Sequence, residues 1–178
     1  MSEPSIFKAW ENFYVITGSS SAALTGLVFI VVTLSTDLRR RVGSTQSAEG
    51  TSIFSSPTVV HFCAAFFNSV VYAAPWRVPA FAGMLIALAG LFGAAYAFNT
   101  GRRARRLDNY SADASDWIWF IILPFVTYLV LCVGGFCLPR FPENASYAIA
   151  AGTVMLVFIG IHNAWDVVIY LATRSDDA

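Results

Sequence analysis

The chain has 178 residues, 57% of them hydrophobic and only 12% charged, and its eleven basic residues balance eleven acidic ones. An average soluble domain carries about 25% charged residues, so water is excluded as the main solvent. Zero net charge leaves no overall basic field for a nucleic acid. With only short connections between its apolar stretches, the chain has no segment of the roughly 50 residues that a separate soluble domain needs, and 1–178 reads as a single membrane domain.

A membrane-crossing helix needs about 20 mostly apolar residues. Five stretches meet this: 12–36, 55–75, 79–99, 117–138 and 145–172. The predicted fold class is therefore all-α, a polytopic bundle of five transmembrane helices. The leading segment, MSEPSIFKAWENF, has two acids and one lysine where a secretory signal has a net positive start, so the first span is expected to be retained. Within that span Gly18, Ala22 and Gly26 recur every fourth residue and share one stripe. Burying apolar side chains gains nothing over facing acyl chains, and such small-residue stripes let two helices approach closely in lipid. The same segment carries Thr17, Ser20, Ser21 and Thr25. These hydroxyls either bond carbonyls one turn back or line a wet pathway.

Arg39, Arg40 and Arg41 follow, leading into a loop rich in Gly, Ser and Thr. Span two carries His61 about one turn past its start and Asn68 nearer its middle. Pro75 and Pro79 bracket a tight connection holding Trp76 and Arg77, which makes spans two and three an antiparallel pair. Span three repeats the small-residue pattern at Gly83, Ala87, Gly90 and Ala94, and Arg102, Arg103, Arg105 and Arg106 come directly after it. Trp117 and Trp119 at the start of span four read as interfacial anchors. Cys63, Cys132 and Cys137 all fall inside apolar stretches and read as small packing residues, with no disulfide framework or zinc site expected.

Span five has small residues at Gly152 and Gly160 and then the run IGIHNAWDVVIY. His162, Asn163 and Asp166 share an arc of about 100° and are expected to form one polar face. Ionisable groups at that depth cost several kcal/mol unless paired. Rise per residue puts His61 and His162 in the same half of the membrane, so His61, His162 and Asp166 are expected to meet as an interhelical network. Three readings stay open for it: a structural lock between spans two and five, a conduction or proton-sensing site, and a metal site or catalytic centre. The i, i+4 spacing of His162 and Asp166 suits metal ligation, but no third ligand is evident and no metal is predicted.

The arginines favour alternate connections. Lys and Arg beside membrane ends stay cytoplasmic, so 37–54, 100–116 and the C-terminus are placed inside and the N-terminus outside. No phosphate loop, GxGxxG turn or HExxH pair occurs, and neither enzymatic activity nor a cofactor is predicted. FYVITGSSSAALTGLVFIVVTLS in span one and GIHNAWD in span five resemble a family of small multi-pass bacterial membrane proteins. That resemblance implies the bacterial cytoplasmic (inner) membrane and His162, Asn163, Trp165 and Asp166 as a signature; it brings no activity, ligand or partner.

The expected function is an oligomeric channel or transport-like membrane protein with a polar intramembrane His/Asn/Asp cluster. The alternative is a non-enzymatic scaffold or accessory subunit that holds a partner protein or anionic lipid. Expected partners are the bilayer, further copies of the chain, and anionic headgroups at the inner basic loops.

Overall fold

The structure is a computed structural model describing residues 6–42, 48–104 and 117–174. Among the described residues there are helices and turns and no strand. The helices are α1 (Ile6–Val42), α2 (Ala48–Ala73), α3 (Pro79–Ala104), α4 (Leu123–Cys137) and α5 (Pro142–Arg174), and a π-turn over Ile118–Ile122 leads into α4. The side chains of Arg39, Arg40 and Arg41, and the whole of Arg105 and Arg106, lie outside the described residues.

Four of these helices are long and apolar enough to cross a membrane: Ile6–Leu34, Pro79–Arg103, Ile118–Cys137 and Pro142–Asp166. They fit a membrane-spanning protein. The fifth predicted span falls short on this measure, because the apolar part of α2 is Pro57–Ala73. Its first turns read AEGTSIFSS, polar enough to shorten the apolar run.

Neighbouring helices follow the order α1, α2, α5, α4, α3. Only 17% of the apolar window of α1 is buried, against 50% for α5, so α1 is an edge helix and α5 a central one. Glycine decides the closest approach. A Cβ on Gly90 would lie 2.6 Å from the backbone nitrogen of Cys132, and one on Gly135 would lie 2.6 Å from that of Ala87, so α3 and α4 touch backbone to backbone.

Polar side chains are drawn into a mainly apolar core, and large apolar ones face outward. Thr17, Ser21, His61, Asn68, Ser146 and Asn163 are buried, whereas Ile16, Phe92, Phe136 and Phe158 are each at least 60% exposed. Water would penalise such an outer surface and lipid would not.

At the end where α2 turns into α3, and α4 into α5, aromatic rings close the bundle. Tyr14 and Tyr72 stack at 4.3 Å, Phe7 lies 5.0 Å from Tyr72, and the Tyr72 hydroxyl meets that of Ser146. Pro79 opens α3 after the turn, and the Trp76 indole donates 2.5 Å to the Val71 carbonyl, tucking the ring back over the end of α2.

Candidate functional site

The site lies toward the opposite end of the bundle, where α2, α4 and α5 bring polar side chains inside. Thr58, His61, Phe62, Ala65, Asn68 and Ser69 are all buried, because the spacings of three and four residues keep them on one face of α2. From α4, the Tyr128 hydroxyl lies 2.9 Å from His61 Nδ1, and both side chains are 1% exposed. This bond ties α2 to α4. A neutral imidazole carries one proton, so Nε2 keeps a donor or acceptor role of its own whichever way the bond runs. No partner meets it.

Helix α5 approaches α2 through Gly160, where a Cβ would lie 2.8 Å from the Phe62 ring tip. One turn further along α5 stands Asn163, and one turn back along α2 stands Thr58, so the two share a level. Both are essentially fully buried. Both amide atoms of Asn163 and the Thr58 hydroxyl have no hydrogen-bond partner. Each such group costs about 1–3 kcal/mol in an apolar interior, so several at one level call for a polar guest. Beside them an apolar groove of about 230 Å³ runs between α1, α2 and α5, lined by Leu24, Val28, Phe62, Ile161 and Trp165, with Thr58 its one hydroxyl residue.

His162 and Asp166 point elsewhere. His162 is one residue off the buried stripe of Ile159, Gly160 and Asn163, which turns it to the edge of α5. There its ring stacks on Trp119 at 3.8 Å, nearly parallel, and Nδ1 lies 3.1 Å from Asp166 Oδ2 without the angles of a hydrogen bond. The two side chains are 33% and 40% exposed. The expected network of His61 with His162 and Asp166 is therefore not what the fold builds. His61 bonds Tyr128 on the inner side of the bundle, while the His162–Asp166 pair belongs to its rim. The expected single polar face likewise divides, with only Asn163 turned inward.

Trp119, which stacks on the rim histidine, lies within the π-turn. There the Leu123 amide donates to the Ile118 carbonyl, five residues back. From sequence, Trp119 reads as an interfacial anchor, and no role is assigned to Tyr128 or Thr58. A phenol inside an otherwise apolar span was the available signal for Tyr128, since a buried Tyr hydroxyl usually finds a partner.

On α1, Thr17, Ser21 and Thr25 each donate 2.8 Å to the carbonyl one turn back, at Phe13, Thr17 and Ser21. Ser20 is exposed on another face. Of the predicted stripe, Gly18 packs against Ser69, where a Cβ would be 3.0 Å from the Ser69 Cβ; Ala22 is exposed, and Gly26 has open space around its Cβ position. Gly83 and Gly90 face α4, Gly152 faces Leu131 and Gly160 faces Phe62, all within the chain. Arg102 and Arg103 are exposed at the end of α3. No group of three metal-ligating side chains occurs among the described residues.

Comparison with protein-family models, curated proteins and solved structures finds no match, so the resemblance of the two ends of the chain assigns it to no family.

Proposed function

We propose that this is an oligomeric integral membrane protein of channel or transport-like type, non-enzymatic, in which all five helices cross the bilayer with the N-terminus outside. The bacterial cytoplasmic membrane is its expected home. α2 runs antiparallel along α1, as the Gly18–Ser69 and Tyr14–Tyr72 contacts require, which supports a crossing for α2 beside it despite its shorter apolar run.

One observation carries the functional reading: His61 Nε2, both amide atoms of Asn163 and the Thr58 hydroxyl are buried without partners within about one helical turn of each other along the bundle. Donors and acceptors of this kind, with no carboxylate among them, suit water, a proton in transit or a small neutral polar solute. Purified protein in liposomes is expected to pass protons or small solutes between pH 5 and 8. Asn163→Leu, which fills the level with apolar volume, is expected to slow that flux several-fold while the protein keeps its helicity and thermal midpoint. Wild-type liposomes as tight as empty ones across this pH range would remove the reading.

A second reading has its own support. The hydroxyls of α1 are spent on their own backbone and the His61–Tyr128 bond locks α2 to α4, which is what a rigid scaffold or accessory subunit needs. Its mark would be a stoichiometric partner recovered from membranes, with His61→Ala lowering stability and no flux to lose.

A further inference from the structure

The last two turns of α3 carry a polar face that the bundle does not use. Gly90, Ala94, Ala97 and Gly101 are buried on the side turned to α4 and the π-turn, where a Cβ on Gly101 would lie 2.9 Å from Ile121. Beside that buried stripe, Tyr96, Asn99, Thr100 and Arg103 follow one another at i, i+3, i+4 and i+7 and so share one face. Together with Phe92 and Ala95 they line a groove of about 210 Å³. Thr100 donates 3.0 Å to the Tyr96 carbonyl, which fixes its hydroxyl. Arg102 turns the other way, its guanidinium 5.8 Å from the Phe98 ring.

Arg103 ends the apolar window of α3, and Asn99 and Tyr96 lie about 6 and 10 Å further into it. Arg103 shares the lining of the groove with Tyr96, further in on the same helical face. No carboxylate among the described residues pairs with it. Arg103, Asn99 and Tyr96 thus bring a guanidinium, a primary amide and a phenol to the lining of one small groove at the margin of an apolar helix. That is the donor set for a tetrahedral oxyanion, and arginine adds a planar fork that fits two phosphate oxygens at once. Phe92, 75% exposed, continues the face with a surface suited to an acyl chain.

We infer that Arg103, Asn99 and Tyr96 form a binding site for the phosphate of an anionic phospholipid, with the lipid chains running along the Phe92 side of α3. The inference rests on α3 being a membrane span whose C-terminal end lies at a lipid headgroup layer; transport plays no part in it. Binding is read in detergent solution, so neither flux nor orientation enters the result.

Full-length protein in detergent is titrated with phosphatidylglycerol, with phosphatidylcholine and with inorganic phosphate, and retained lipid is counted by native mass spectrometry. Phosphatidylglycerol is expected to be held in preference to phosphatidylcholine, with inorganic phosphate displacing neither. Arg103→Gln should weaken retention about tenfold, the worth of one charge-assisted hydrogen bond, and Asn99→Ala should act in the same direction. Arg102→Gln should leave it unchanged. Equal retention by wild type and Arg103→Gln, equal retention of the two lipids, or dependence on Arg102 instead would overturn the assignment. Displacement by inorganic phosphate alone would transfer the site to a free anion and overturn the lipid. Should Arg103→Gln fail to fold, Asn99→Ala and Tyr96→Phe carry the same two outcomes.

Discussion

At the scale of single residues, the value of a polar side chain here is set by what it meets. Tyr128 shows this most directly. Tyr128→Phe removes one hydroxyl and leaves both nitrogens of His61 without a partner, so it is expected to destabilise by about 1–3 kcal/mol, seen as a lower thermal midpoint in detergent. An unchanged midpoint would mean that His61 finds another partner. Sequence alone flagged His61, Asn68, His162, Asn163 and Asp166 because ionisable and amide groups are rare and costly in apolar helices. It could not pair them. A one-residue step on a helix is about 100°, enough to send Asn163 inward and His162 to Trp119 at the rim. Which of the two faced the core depended on the position of α2, which no periodicity within α5 encodes.

Glycine carries the argument at the scale of helices. Gly90 and Gly26 belong to similar small-residue patterns, yet only one is pressed against a neighbour. Gly90→Ala forces a methyl against the backbone of Cys132, which cannot rotate away, and is expected to cost about 1–3 kcal/mol of stability. Gly26→Leu meets open space and should leave the subunit within about 0.5 kcal/mol of wild type. In the proposed oligomer the open stripe of Ala22 and Gly26 on the edge helix is the docking surface for a second copy, so Gly26→Leu should reduce crosslinking between copies in native membranes. Crosslinking that is absent in wild type, or identical in the variant, would count against the oligomer formed through α1. The stripes were legible in the sequence; whether a stripe was used within the chain was not, because that depends on the order of helices around the bundle. The π-turn was invisible too, since one extra residue in a helical turn leaves composition and hydropathy unchanged.

For the whole molecule, large apolar side chains cover the outer surface, and the core is a mainly apolar interior into which polar side chains such as His61, Asn68 and Asn163 are also drawn. The proposed five crossings with an outside N-terminus make a direct prediction. Single cysteines introduced as Ser2→Cys and Ala178→Cys, with Cys63, Cys132 and Cys137 replaced by alanine, should label from opposite faces of intact cells. Labelling of both from the same face would require an even number of crossings and would leave α2 as a helix that enters without crossing. That possibility is worth the experiment because the described apolar run of α2 is the short one.

Composition and apolar run lengths alone determined that the chain is all-helical and fits a lipid environment, because the cost of exposing backbone and charge to hydrocarbon is a local property that each segment carries with it. They also located the residues whose burial would be expensive. The tertiary structure alone decided that His61 bonds Tyr128, that Asn163 and not His162 faces the interior, and that the rim holds a Trp119–His162–Asp166 group. Those outcomes turn on helix azimuth and neighbour order, which arise from backbone contact at glycines far apart in the chain.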